Sequence, residues 1–189
     1  MKNLFIIHGY KANTESHWFQ WLKSSMMRYG YTTEIIPLPN SAQPKYKAWS
    51  QTLDDYLSHK LTNETIIVAH SLGVITTLDY LSHHANETHI KGLFLISGFN
   101  EQLPNIPELN HFITQTDISL NNINAHTIKV IGATADPIVN IDATRRLSSS
   151  LGIDTIEIPH EGHFLASEGY TTFEFLLEQI NRLLNKKRD

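Results

Sequence analysis

Three observations predict an α/β fold with a mostly parallel sheet. Short β-branched and apolar runs alternate with amphipathic stretches along the whole chain. The runs are apolar at successive positions, as strands covered on both faces require. The 189 residues contain no internal repeat, low-complexity tract or linker, so they read as one domain, 1–189, long enough to bury a sizeable core.

The elements follow in order. Leu4–Ile7 is a short buried strand, and Glu15–Tyr29 follows as a helix with Trp18, Trp21, Leu22, Ser25 and Met26 on one face. Thr32–Ile36 is the second strand, closed by Pro37 and Pro39. Lys45–Leu61 carries Trp49, Leu53, Tyr56 and Leu57 at helical spacing. Thr65–Ala69 is the third strand and Ser71–His84 the next helix. Gly92–Ile96 and Thr127–Ile131 are the fourth and fifth strands. A helix over Ile141–Leu151, a sixth strand at Asp154–Ile158 and a last helix over Tyr170–Leu184 complete the chain. Such alternation makes βαβ units, and so places helices on both faces of the sheet. The stretch 98–126 breaks the rhythm. It holds Pro104 and Pro107, with a short helix near Glu108–Thr114, and its length suits a lid or pocket wall. Leu103, Ile106, Leu109, Phe112 and Ile113 would form its apolar underside.

Composition narrows the functions. Net charge is −4, from 15 Lys+Arg against 19 Asp+Glu, so no basic surplus exists to bind nucleic acid. The run Lys186-Lys187-Arg188 reads as a solvated tail after a helix, and the Asn63 and Asn86 sequons as chance. There are no cysteines, which excludes disulfides, thiolate nucleophiles and zinc–thiolate sites. No apolar run approaches the ~18 residues of a membrane span, and the start of the chain lacks a secretory pattern. The expectation is a soluble, cytoplasmic protein with no membrane partner.

The chemistry concentrates at strand ends. The third strand runs into Ala69-His70-Ser71-Leu72-Gly73 and then a helix, the strand–turn–helix context of a nucleophile elbow. Small residues two before and two after the serine permit the close approach of strand and helix; Ala69 replaces the commoner glycine. The plainer reading of Ser71 is a helix N-cap. The first strand ends in His8-Gly9-Tyr10, where a loop N–H belongs to an oxyanion hole; Tyr10 N–H pairs with Leu72 N–H in that role. Otherwise His8-Gly9 is a plain turn. The fifth strand ends in Gly132-Ala133-Thr134-Ala135-Asp136-Pro137, where Asp136 is either a triad acid or a turn opener. The sixth ends in Pro159-His160-Glu161-Gly162-His163-Phe164, where His163 is the candidate base and His160 its rival. No third ligand accompanies the two histidines, so no metal is implied. The chain order Ser71, Asp136, His163, at three strand ends, is the hydrolase order of this motif.

Those stretches, with His17-Trp18-Phe19-x-Trp21-Leu22 and Ser97-Gly98-Phe99, resemble the α/β-hydrolase superfamily over essentially the whole chain. Within it the sequence is similar to the YdeN-like small serine hydrolases, relatives of retinoblastoma-binding protein 9. The resemblance implies a minimal six-stranded sheet of order 2-1-3-4-5-6 without a large cap domain. It implies Ser71 as nucleophile, Asp136 as acid and His163 as base, acting on small ester or amide (acyl or aminoacyl) substrates without a cofactor. The eukaryotic relative's retinoblastoma contact uses a cysteine-containing motif, which this chain lacks. Gly9, His70, Phe99 and Phe164 are the expected substrate-binding residues. Trp18 and Trp21 read as core packing before pocket wall. The alternative function is a catalytically weak hydrolase fold that serves as a protein-interaction module.

Overall fold

A computed structural model of the protein describes residues 1–84 and 89–185. The Lys186–Arg188 run and the Asn86 sequon lie outside the described residues. Six strands form one wholly parallel sheet: β1 (Asn3–Ile7), β2 (Thr32–Ile36), β3 (Ile66–His70), β4 (Gly92–Ile96), β5 (Ile128–Ala133) and β6 (Thr155–Ile158). Their order is β2-β1-β3-β4-β5-β6, as expected.

Strand alternation feeds two cores. Leu4 and Ile6 of β1, Ile66 and Val68 of β3, and Phe94 and Ile96 of β4 pack with helices α1 (Phe19–Met27) and α6 (Glu174–Asn185). Phe5 and Ile7, Ile67 and Ala69, Leu93 and Leu95 turn the other way. There they meet α2 (Tyr46–Leu57), α3 (Leu72–His83) and α5 (Ile141–Ser150). Each fully buried Leu, Ile or Phe contributes about 1.5–3 kcal/mol of transfer free energy, so the two clusters dominate folding. Trp18 lies fully buried against α6 and Trp21 packs at the edge of the same cluster, so both are core residues.

Two helices start later than the sequence suggests. Residues before α1 are captured by a local turn: Asn13 Oδ1 accepts the Glu15 N–H at 2.8 Å, and Ser16 Oγ accepts the Asn13 N–H at 2.9 Å. His17 then adopts φ +56°, which no helix continues through. Before α6, a 3-10 turn at Ala166–Glu168 ends on Gly169 at φ +93°.

The stretch 98–126 is a packed wall. It holds a 3-10 turn (Pro107–Leu109), the short α4 (Asn110–Ile113) and a second 3-10 turn (Leu120–Asn122). Leu103, Leu109, Phe112 and Ile113 are buried in the α2–α3 core. Its return leg is tied to α3, where the buried Asp79 carboxylate accepts the Asp117 N–H at 2.8 Å.

The strand order reverses between β1 and β3. In open α/β sheets, ligands bind outside the carboxyl ends of the strands at such a point.

Candidate active site

At the end of β3 the chain turns sharply into α3 with Ser71 at the tip. Ser71 has φ +56° and ψ −126°, a conformation L-residues rarely adopt. Its N–H is anchored to the Ile96 carbonyl of β4 at 2.9 Å. Ser71 occupies the N-cap position of α3, yet its side chain makes no cap hydrogen bond. The hydroxyl is therefore not used as a cap.

Two glycines let backbone segments meet here. A Cβ on Gly73 would stand 2.5 Å from the His8 carbonyl oxygen and 2.6 Å from that of Ile7. A Cβ on Gly9 would stand 2.8 Å from Ser71 Cβ and 3.2 Å from Leu72 N. The loop after β1 thus lies directly against the elbow. Among the described residues, neither Tyr10 N–H nor Leu72 N–H has a hydrogen-bond acceptor.

His8 is held inside this loop. Its Nε2 accepts the Leu38 N–H at 3.2 Å, so the proton sits on Nδ1, 3.0 Å from the Gly9 carbonyl. Burial lowers its pKa and keeps the ring neutral.

Asp136 follows β5. Its Oδ1 accepts the N–H groups of Ile138 and Val139 at 2.8 and 2.9 Å. Its Oδ2 accepts the Ser97 hydroxyl at 2.9 Å and lies 2.7 Å from His163 Nδ1. One oxygen of Asp136 thus meets turn N–H groups and the other faces the His163 imidazole. The two side chains are almost inaccessible, at 1% for Asp136 and 4% for His163. A carboxylate only accepts, so the contact assigns the proton to Nδ1 and leaves Nε2 as the free basic nitrogen. The rival His160 is elsewhere, stacked on Phe164 and facing Glu168 at 3.4 Å.

Ser71 and His163 line one cavity of about 320 Å³. Among the described residues no hydrogen bond joins the Ser71 hydroxyl to the His163 imidazole. Catalytic hydrogen bonds commonly tighten only with substrate. Phe99, Ile106, Leu109 and Ile138 supply apolar wall, while Lys11 and Glu108 also border the space. A wider groove of about 620 Å³ crosses α5 and β6, but the Arg145–Glu157 ion pair occupies its wall and it holds no serine–histidine pair.

The expected substrate-binding residues separate. Phe99 and His70 border the cavity. Gly9 shapes the loop beside Ser71. Phe164 is a correction: φ +58° turns it away, and its fully buried ring packs at 4.9 Å from Phe173 in the α1–α6 core.

Three neighbours were not assigned from the sequence. Ser97, at φ +45°, holds Asp136. Glu168 Oε2 accepts the N–H groups of His163 and Leu165 at 2.8 and 2.9 Å. His17 accepts the Ala166 N–H on Nδ1 at 3.1 Å and borders the cavity. Burial first, then the charge of His163, lowers the His17 pKa to about 4.

The family model described as "Serine hydrolase" matches residues 4–182. The chain belongs to the serine hydrolase family. This serine hydrolase is 34% identical over 188 residues to the YdeN protein of Bacillus subtilis (strain 168), covering 98% of both chains. The crystal structure of the B. subtilis ydeN gene product superposes with a TM-score of 0.91 at 33% identity, over 98% of this chain and all (100%) of that one. Alpha/beta hydrolase domain-containing protein 10 from mouse shares the fold, with a TM-score of 0.73 at 14% identity over 97% and 90% of the two chains. The fold is that of the α/β hydrolases.

Proposed function

We propose that this serine hydrolase cleaves small ester or amide substrates, acyl or aminoacyl, through an acyl-enzyme on Ser71. The observation that carries the reading is the Asp136–His163 pair at 2.7 Å, buried beside a strained serine that shares its cavity. His163 Nε2 takes the Ser71 proton as Oγ forms a bond to the substrate carbonyl carbon. Asp136 holds the imidazole tautomer and stabilises the imidazolium. The carbonyl oxygen gains negative charge and meets the Tyr10 and Leu72 N–H groups, donors without a competing acceptor. The carbonyl–leaving-group bond then breaks, and His163 returns its proton to the departing oxygen or nitrogen. A water repeats the sequence: its proton goes to His163, its oxygen to the acyl carbon, and Ser71 leaves with the proton restored.

The cavity volume of about 320 Å³ is at the small end for ligand pockets, which favours short acyl groups over lipid chains. The test is hydrolysis of p-nitrophenyl acetate by the wild type and Ser71→Ala. The variant should lose roughly 10⁴-fold or more in kcat with its fold intact. Wild-type turnover by a folded Ser71→Ala protein contradicts the reading.

A further inference from the structure

His70 is the residue just before Ser71, and strand register decides where it points. Ile66 and Val68 of β3 face the α1–α6 side, and His70 continues that alternation. Its ring meets Trp18 and Phe19 edge-on, at centroid distances of 6.0 and 6.1 Å. The loop from β6 to α6 passes on the same side, and it carries His163.

His70 is 2% exposed. Its Nε2 lies 2.9 Å from the His163 carbonyl oxygen. A carbonyl only accepts, so Nε2 carries the proton and donates it. Nδ1 is buried with no partner among the described residues. A phenyl ring would fill this space without desolvating a nitrogen, so what histidine adds is the single donor.

His163 sits in a loop without regular secondary structure. Both of its main-chain polar groups are taken by side chains: Glu168 accepts the N–H at 2.8 Å and His70 donates to the carbonyl at 2.9 Å. The next residue, Phe164, has φ +58° and turns the chain away. The imidazole of His163 therefore hangs from a main chain gripped on two sides.

We propose that His70 is a positioning residue for the base: through its Nε2–H it fixes the His163 main chain, and with it the imidazole, over Ser71. It acts through His163, whose ring it also meets at a centroid distance of 4.7 Å, while His70 itself borders the cavity. The inference rests on the Ser71–His163 reading given above. To do this His70 must carry a proton on Nε2, which the Nδ1-protonated neutral tautomer lacks. Burial, and then the nearby charges of His163, His17 and His8, push its pKa well below the ordinary histidine value.

The wild-type protein offers the first test. Imidazole ¹⁵N spectra of the neutral ring should show His70 protonated on Nε2 and unprotonated on Nδ1. A neutral ring protonated on Nδ1 instead of Nε2 overturns the proposal. The second test compares three variants on p-nitrophenyl acetate. Glutamine places an amide NH₂ as many bonds from the main chain as Nε2, whereas asparagine stops at the Nδ1 position. His70→Phe and His70→Asn should lose ~10- to 100-fold in kcat with little change in KM, the scale of a displacement near 1 Å. His70→Gln should recover most of that loss. The downfield Nδ1 proton of His163, bonded to Asp136, should survive in His70→Gln and broaden in His70→Asn.

Equal kcat in the Gln and Asn variants, or kcat that merely tracks the folded fraction, overturns the proposal. If His70→Phe does not fold, the Gln–Asn pair still decides. Ser71→Ala serves as the internal control. An active Ser71→Ala overturns the nucleophile assignment, and an inactive one beside a fully active His70→Phe overturns only the role of His70.

Discussion

Ser97 donates its hydroxyl to the same Asp136 oxygen, Oδ2, that faces His163 Nδ1, at 2.9 and 2.7 Å respectively. The serine follows β4 and the aspartate follows β5, so the ends of adjacent parallel strands supply donor and acceptor. Ser97→Ala frees one lone pair of a buried carboxylate and lets its plane rotate away from the imidazole. A hydrogen bond to a charged group is worth about 1.5–3 kcal/mol, so kcat/KM should fall roughly tenfold to a hundredfold. Steady-state kinetics on an activated ester, with urea unfolding as the control, measure it. Unchanged kinetics would mean that the Ile138 and Val139 N–H groups suffice to orient Asp136.

Gly73→Ala should damage the elbow. The new methyl meets the His8 and Ile7 carbonyl oxygens at 2.5 and 2.6 Å, and both are backbone atoms that no rotamer change can move. Over-packing of this kind costs about 1–3 kcal/mol or more, and here it also pushes the β1 loop from Ser71. Thermal melting and ester turnover should fall together. A wild-type melt would contradict the close approach of β1 and α3.

Much of this fold is legible in the sequence because a covered parallel sheet needs apolar residues at successive positions. Phe5 and Ile6 point to opposite cores, and neither tolerates water. The helix starts are less legible. Ser16 and His17 look compatible with a helix until a local turn around Asn13 and a positive φ claim them. Ser71, Asp136 and His163 stand out because each lies on the turn or loop after a strand, at the same sheet edge. Ser97 and Glu168 do not: their partners are a carboxylate from another strand and main-chain N–H groups, neither visible as a spacing. Phe164 misleads for a related reason. Adjacency to His163 says nothing of direction, and the left-handed turn sends its ring into the core.

Stability should depend on pH through three neutral histidines. His8, His17 and His70 all have pKa values lowered by burial, that of His17 to about 4. Below about pH 6.5 the unfolded chain takes up protons that the native state refuses. Their contribution is thus complete above that pH and is lost as the pH falls through each ring's lowered folded-state value, about 4 for His17. The slope reaches about 1.4 kcal/mol per pH unit for each fully buried ring, and less for His17, which borders the open cavity. Urea unfolding at a series of pH values measures it, and His70→Gln should flatten the slope by one proton. A flat profile from pH 7 to 5 would contradict the buried, neutral state of these rings.

The cavity should discriminate by acyl length. Ile106 and Leu109, from the wall between β4 and β5, border it together with His17 and Leu165. Acetyl and butyryl p-nitrophenyl esters should be cleaved faster than decanoyl esters. Ile106→Ala should shift the preference toward longer chains, because it removes wall without touching Ser71 or His163. A decanoyl preference in the wild type would contradict a cavity of about 320 Å³ as the acyl site.

The central claim is that Ser71 is a nucleophile activated by His163. Covalent labelling with a fluorophosphonate, read by intact-protein and peptide mass spectrometry, tests it most directly, since the reagent captures only an activated hydroxyl. One adduct per chain, on the peptide containing Ser71, lost in Ser71→Ala and strongly slowed in His163→Ala, is the predicted result. A folded wild-type protein that takes up no label, or a Ser71→Ala protein that labels as fast as the wild type, would contradict the account.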